Sequence, residues 1–389
     1  MPATLDLLED VTRGAPSARA GLNVKILTAD QIDPQAVARW RDLARRSCHA
    51  NPFLLPDFVL PAWKHLTPER QHVLLIVESP RDRRWLAAGG FRLGQLSPQL
   101  PLPHALASDS HYTFRTGLLL DSDRAAEALD TLFSRIARGG WLQHGIEFPG
   151  LRLDSILVRE LVASTRRLGY GWHTSHERQV PAVYPEIIST DYLNEHWTKS
   201  RRKSIRRSRS RLEAHGPVLL RFAERPDEVA TALEKFLRLE YETWKGAEGT
   251  ACLSNPRDEA FVREMVAGLA RFGHVVISEL RAGDRVAASA INLTAGSGLF
   301  AFKIGWDMEL ASASPGVLHE AELMLEAQHR LRDFTLFDSC ATETSYIAPI
   351  WPERISVATG LIYTTAWSRW CRRVLNTGRN IKRLIVSWW

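Results

Sequence analysis

The chain has 389 residues, 45% apolar and 24% charged, with a net charge of +6. That is the composition of a globular protein, and it is too long for one ordinary core, so two domains of roughly 150 to 200 residues each are expected. No run reaches the ~18 apolar residues of a membrane span, and the mixed segment Met1–Gly14, with Asp6, Glu9 and Asp10, is not a signal peptide, which leads to the expectation of a cytoplasmic protein.

The positive charge is concentrated in two places. Lys199–Arg211 holds eight basic residues and no acid, and Trp367–Trp389 holds six and no acid. Without them the chain is acidic. Cys48, Cys252, Cys340 and Cys371 show neither metal-ligand nor disulfide-framework spacing, and reduced thiols are expected.

Residues 1–21 read as a disordered tail. Asn23–Leu27 is a candidate strand, and Asp33–Ser47 has helical spacing with Val37, Trp40, Leu43 and Ala44 on one face. A short helix ending near Trp63 precedes a buried strand, His72–Glu78, whose partner is Trp85–Leu93. Ser97–Pro103 is a loop. Gly117–Leu120 and Gln143–Phe148 read as strands, Ala125–Arg138 and Asp154–Leu168 as helices. This alternation defines an α/β domain over 22–185. It holds no Gly-rich phosphate loop, which argues against a dinucleotide enzyme or a kinase.

After a break near Val180–Thr190, a second domain spans 186–365. Asp191–Leu212, Pro226–Trp244 and Asp258–Phe272 read as helices, Pro217–Ala223 as a strand, and His274–Leu280 with Arg285–Leu293 as a hairpin. Leu299–Trp351 then reads as strand, loop, helix, strand, loop. Phe300–Ile304 is the first strand and Gly305-Trp306-Asp307 breaks it. Ser314-Pro315-Gly316 opens a helix over Val317–Leu331, and Phe334–Phe337 is a strand tipped by Asp338. Pro suits the first helical turn, and Ser314 can cap it. The N–H groups of Gly316, Val317 and Leu318 are then expected to hold a pyrophosphate at the positive helix end. Over 366–389, Trp367, Trp370, Leu375, Ile381 and Trp388 recur at helical spacing among arginines and lysines, which reads as a basic amphipathic helix.

Several features together resemble the GNAT-superfamily acetyltransferase domains of FemAB-like and cellulose-biosynthesis (CelD-like) proteins. They are the basic run Lys199–Arg207 closed by Leu212-Glu213-Ala214-His215-Gly216, then Phe236-Leu237 with Trp244-Lys245, the Gly305-Trp306-Asp307 turn, Ser314–Leu318, and Glu343-x-x-Tyr346 with Trp351. Trp40-x-x-Leu43, Asn51-Pro52-Phe53 and Trp63 extend the resemblance into the first half. One departure stands out: Ile347 follows Tyr346 where such proteins usually carry Lys.

The resemblance implies an α/β (α+β) protein of two tandem GNAT-like domains, each a mixed sheet flanked by helices, with the site in the second. It implies acyl transfer from acetyl-CoA or another acyl-CoA to an amine or hydroxyl of a small molecule, sugar or envelope precursor. A carboxylate must then take a proton from the acceptor and an acid must protonate the leaving thiolate. Asp338, Glu343 and Tyr346 are the candidates for that chemistry. Ser314, Gly316, Val317 and Leu318 are the candidate cofactor grip. Glu240, Trp244, Lys245, Asp307, Trp351, Arg202 and Arg206 are the candidate substrate contacts, Glu240 and Asp307 doubling as reserve bases. Cys340 has no local His to activate it. The adjacent His319 and Glu320 lack HExxH spacing, so no metal is expected. Two other readings stand beside acyl-CoA transfer: a FemAB-like aminoacyl-tRNA-dependent transferase, and a non-catalytic protein that binds an anionic membrane surface through 366–389. No DNA partner is expected.

Overall fold

The structure, a computed structural model, describes residues 21–94, 97–139 and 143–375. The expected tail, apart from Gly21, and the expected C-terminal helix beyond residue 375 lie outside the described residues. The N-terminal half runs β1 (Asn23–Thr28), α1 (Pro34–Arg46), α2 (Pro56–Pro61), β2 (His72–Glu78), β3 (Trp85–Gly94), β4 (His104–Ala107), β5 (Leu119–Leu120), α3 (Ala125–Ala137), β6 (Gly145–Arg152), α4 (Ile156–Arg167) and β7 (Gly171–Val183). The C-terminal half runs α5 (Thr190–His196), α6 (Lys199–Glu213), β8 (Val218–Ala223), α7 (Pro226–Tyr241), α8 (Pro256–Ala270), β9 (Val275–Ala282), β10 (Arg285–Ala295), β11 (Gly298–Trp306), α9 (Pro315–Leu325), β12 (Leu336–Asp338) and β13 (Glu353–Tyr363).

These strands form one continuous mixed sheet in the order β1-β2-β3-β4-β6-β13-β7-β12-β11-β10-β9-β8, with β5 paired to β3 off that path. Each half is an antiparallel meander that ends in a parallel pair, β4 with β6 and β11 with β12. The next place in each half is taken by a strand of the other. β13, from the end of the chain, lies between β6 and β7, and β7 lies between β13 and β12. Gly145 permits the close approach of β13 to β6, since a Cβ there would fall 1.9 Å from the Ile362 carbonyl oxygen.

Neither β7 nor β13 is legible as a strand in the sequence. The first part of β7 is polar and carries His173, Ser175, His176, Glu177 and Arg178. Only Val180–Val183 is fully buried. The partners that hold it extended come from the far end of the chain. The single helix expected over Asp191–Leu212 is two. Trp197 interrupts it by burying its indole, whose N–H donates to the Ile350 carbonyl at 2.9 Å, and Thr198 restarts the helix by accepting from the Arg201 N–H. The helix expected to reach Leu331 stops at Leu325 and continues as a 3-10 turn, Glu326–Gln328.

The two halves share apolar packing. Phe53, Phe58 and Tyr112 of the first half meet Phe236, Phe261, Phe300 and Phe302 of the second in one buried cluster. Phe53 and Phe300 pack edge to face at 5.9 Å, and Phe58 and Phe261 at 5.4 Å, a geometry aromatic rings favour. Gly305 lets α7 lie directly on β11, because a Cβ there would come within 3.0 Å of the Glu240 backbone. That close approach brings Glu240 to the functional cleft.

Candidate active site

β11 and β12 pair only from Gly298–Phe300 to Leu336–Asp338 and then part. Two local features open the gap. On β11 the register against β10 jumps from Ala301–Asn292 to Lys303–Ile291, which leaves Phe302 as the extra residue of a bulge. After β12, Cys340 takes a positive φ of 54° and turns the chain away. The resulting cleft, about 360 Å³, is floored by Ala301–Ile304. One wall is Ser339–Ala341 with Tyr346 and Ile347, the other is Lys245 and Thr250, and Phe114 of the N-terminal half closes one end.

The cleft carries a built charge cluster. Glu240 is fully buried. Its Oε1 accepts from Lys303 Nζ at 3.1 Å and Lys245 Nζ at 3.3 Å, and its Oε2 accepts from the Cys252 N–H at 2.9 Å. Lys245 also donates to the Ile304 carbonyl at 2.6 Å, and Lys303 stands over the Tyr112 ring at 5.1 Å. Burial works against the Glu240 charge, but the two lysines outweigh it and hold the carboxyl below its usual pKa. Burial lowers the Lys245 ammonium, aided by repulsion from Lys303. Lys303 is raised: burial opposes its charge, and Cys252 and Glu240 more than offset that. Cys252 is pushed up to about 12 by burial, so it is a neutral thiol at pH 7 and the charge facing both lysines is that of Glu240. Within this cluster two cations face one carboxylate.

Asp338 lies at the base of the gap with no exposed surface. Its oxygens accept from Arg115 Nε at 2.8 Å and Arg115 Nη2 at 2.6 Å, and from the Cys340 N–H at 2.8 Å. This carboxylate is committed to binding the N-terminal half, and it has no free oxygen to take a proton. Burial, with Asp338 beside it, raises the Cys340 thiol well above its usual pKa, which disfavours the thiolate that a covalent acyl-cysteine requires. Tyr346 lines the cleft. The residue is 45% exposed, yet burial, with the Glu320 charge as a lesser cause, raises its phenol well above its ordinary value. Glu343 is solvent-exposed in the loop and is not part of the cleft lining. Trp351 is fully buried against Phe337, with its indole N–H on the Glu320 carbonyl at 3.3 Å, so it is a core residue behind the site instead of a surface for substrate.

The start of α9 differs in detail from its expected form. Ser314 has a left-handed backbone (φ 49°, ψ 55°), and its side chain makes no cap hydrogen bond. The Leu318 N–H is already used within the helix, donating to the Ser314 carbonyl at 3.1 Å. The free N–H groups are therefore those at the first turn, at Gly316 and Val317. Helix α6 packs beside this end: Arg209 pairs with Glu322 of α9 at 2.6 Å, and Arg211 donates to the Ser312 carbonyl in the turn that leads into α9. The basic run thus flanks the α9 N-terminus. Of the other candidates, Arg202 is occupied in capping the carbonyls of Asn194 (2.6 Å) and Trp197 (2.8 Å) at the end of α5, while Arg206 is exposed. Asp307 accepts from the Glu309 N–H and pairs with Arg285 at 2.5 Å, which makes it a turn-builder. Trp244 is 45% exposed at the edge of the helical turn that carries Lys245. Lys303 went unnoticed in the sequence. Its signal was a lone cation inside the apolar run Phe300–Ile304. Among the described residues no cluster of metal-ligating side chains occurs.

With the geometry in view, the comparisons with known proteins fall into place. Residues 199–346 match the family model described as an acetyltransferase (GNAT) domain. Among solved structures, FemX covers 84% of this chain and 95% of its own length at 11% identity and a TM-score of 0.53. The C-terminal domain of a putative lysylphosphatidylglycerol synthetase from Agrobacterium fabrum covers 87% of this chain and 93% of its own length, also at 11% identity, with a TM-score of 0.50. No curated protein matches the sequence. The splayed parallel pair lies within the segment that matches the acetyltransferase (GNAT) domain model, and the chain as a whole shares its fold with FemX and the synthetase domain.

Proposed function

We propose that the protein is an acyltransferase that moves an acetyl or other acyl group from acyl-CoA to an amine or hydroxyl of a small molecule, sugar or envelope precursor. The observation that carries this reading is the parting of β11 from β12, with the first turn of α9 seated on the end of β11, where Gly316 faces Trp306 and Ile304. The pyrophosphate sits on the Gly316 and Val317 N–H groups, with Arg211 alongside, where the helix end favours negative charge. The thioester lies in the cleft along β11, whose edge beyond Phe300 is unpaired on that side and offers backbone N–H groups to the carbonyl oxygen as charge develops there. Tyr346, which lines the cleft, gives its proton to the leaving thiolate. Lys303 and Lys245 meet an anionic group of the acceptor and supply the cation that Ile347 does not.

The test is a titration with acetyl-CoA and CoA, alongside charged tRNA. Binding of CoA that disappears in G316D, where a carboxylate would face the pyrophosphate, supports the reading. Binding of charged tRNA alone moves it to the aminoacyl donor that the FemAB-like resemblance also implies. For membrane association, the helix over 366–375 exposes Trp367, Trp370 and Val374 on one face, and Trp367 stacks on Trp370 at 4.9 Å. We propose that this face meets an anionic bilayer on the cytoplasmic side. Co-sedimentation with vesicles containing phosphatidylglycerol, lost in W367S/W370S, is the expected result. Among the described residues no helix is long and apolar enough to cross a membrane.

A further inference from the structure

Glu320 is the single carboxylate among the described residues that line the cleft, and it is 2% exposed. Its Oε2 has no hydrogen-bond partner. A buried carboxylate oxygen left open is costly, and natural structures leave few such atoms without a purpose. The other acids near the cleft are spent: Asp338 on Arg115 and the Cys340 N–H, Glu240 on two lysines and the Cys252 N–H.

Behind Glu320 lies a buried polar row. Asn292 Nδ2 donates to the Ser278 hydroxyl at 3.0 Å and faces the Val276 carbonyl at 3.4 Å, which sets the orientation of the amide. The Ser278 hydroxyl lies 2.8 Å from His319 Nε2. His319 Nδ1 lies 3.4 Å from Glu320 Oε1 but makes no hydrogen bond to it or to any other group. The imidazole thus stands close behind a carboxylate that lines the cleft.

Resting on the acyl-transfer reading, we infer that Glu320 is the catalytic base of this cleft, with His319, Ser278 and Asn292 as positioning residues behind it. The Glu320 carboxylate takes the proton from the acceptor nitrogen or oxygen as that atom bonds to the thioester carbon. The carbon–sulfur bond breaks and its electron pair leaves on sulfur. The Tyr346 hydroxyl protonates the thiolate. The proton on Glu320 then returns through cleft water to the tyrosinate, so one proton has moved from acceptor to thiol and both residues are reset.

The experiment uses the full chain and follows thiol release from acetyl-CoA between pH 5 and 9. A pool of amino acids, amino sugars and polyamines serves as acceptor, and water serves where no pool member reacts. CoA binding is measured in parallel. E320Q, of nearly equal volume, is expected to bind CoA within threefold of wild type while thiol release falls at least about 100-fold and loses its acidic limb. H319L removes the ring behind the carboxylate and is expected to lower thiol release at least about tenfold while CoA binding stays within threefold of wild type, a split that loss of packing alone does not produce. E320Q turning over within a few-fold of wild type with an unchanged limb overturns the assignment and leaves the acyl-transfer reading intact. Wild type that neither binds CoA nor releases thiol overturns both.

Discussion

Arg115 grips both carboxylate oxygens of Asp338, at 2.6 and 2.8 Å, across the boundary between the two halves, and both side chains are buried. A pair this dry is costly to break from one side, by roughly 3–5 kcal/mol, because the partner is left charged and alone. D338N and R115M should each lower the unfolding free energy from urea melts by that much. The double variant should recover part of the loss. A residue whose main role is proton transfer would behave otherwise, losing turnover with little change in the melt.

Acid should weaken the N-terminal half before it affects the carboxylates. Burial lowers the His72 pKa from 6.5 to about 4; its ring stacks on Trp63 at 4.9 Å and bonds the Thr67 and Ser108 hydroxyls. The folded pKa is depressed, so the unfolded chain binds the proton first. The stability contributed by neutral His72 is complete above pH 6.5 and is lost as pH falls from 6.5 toward 4. At pH 4 the loss is on the order of 3 kcal/mol. Chemical melts between pH 4 and 7 should show this slope, and H72Q should flatten it.

Much of this architecture was legible where local pattern and burial agree. The helix faces bearing Trp40, Leu43, Phe236 and Leu237 and the run Val73–Val77 follow their periodicity into the core. The β7–β13 exchange was not legible, because Ser175–Arg178 carry no apolar alternation and their strand identity is imposed by Val357–Thr359 from the other half of the chain. At the site, Tyr346 as a cleft-lining residue could be found from local sequence. Arg115 and Lys303 could not, since their roles depend on pairing with Asp338 and Glu240 across 223 and 63 residues. Glu320 looked unremarkable beside His319 until the fold placed Ser278 behind one and the cleft before the other.

Ile347 shows why a missing cation need not mean a missing site. It is 3% exposed and lines the cleft that Lys303 and Lys245 also line. Restoring the usual Lys with I347K would put a third ammonium into a buried position with no carboxylate free to pair with it except Glu320. It should cost roughly 3 kcal/mol in a denaturant melt and lower turnover. K303M should act differently. CoA binding should persist, and the KM for an anionic acceptor should rise at least about tenfold relative to a neutral analogue, as expected on losing a charge-assisted contact. Equal KM changes for the two acceptors would remove Lys303 from acceptor recognition.

The strand exchange makes a prediction about folding itself. A fragment cut at 185/186 leaves the C-terminal half without β7, so β12 loses the neighbour that pairs at Phe337 and Asp338, and β13 loses the register it makes from Glu353 to Tyr363. The N-terminal half loses β13 and leaves the Gly145–Arg152 edge open. Each fragment would also expose its side of the cluster that joins Phe53 and Phe58 to Phe236 and Phe300. Long unpaired edges and uncovered aromatic surface drive association, so each half expressed alone should aggregate or show a broad, weak melt. Mixed or co-expressed, residues 1–185 and 186–389 should assemble into a complex with the circular dichroism of the intact chain. The intact chain should unfold in one cooperative transition seen alike by tryptophan fluorescence and far-UV signal. Two separated transitions, or a fragment 186–389 that is monomeric and sharply folded alone, would show that the exchanged strands do not couple the halves.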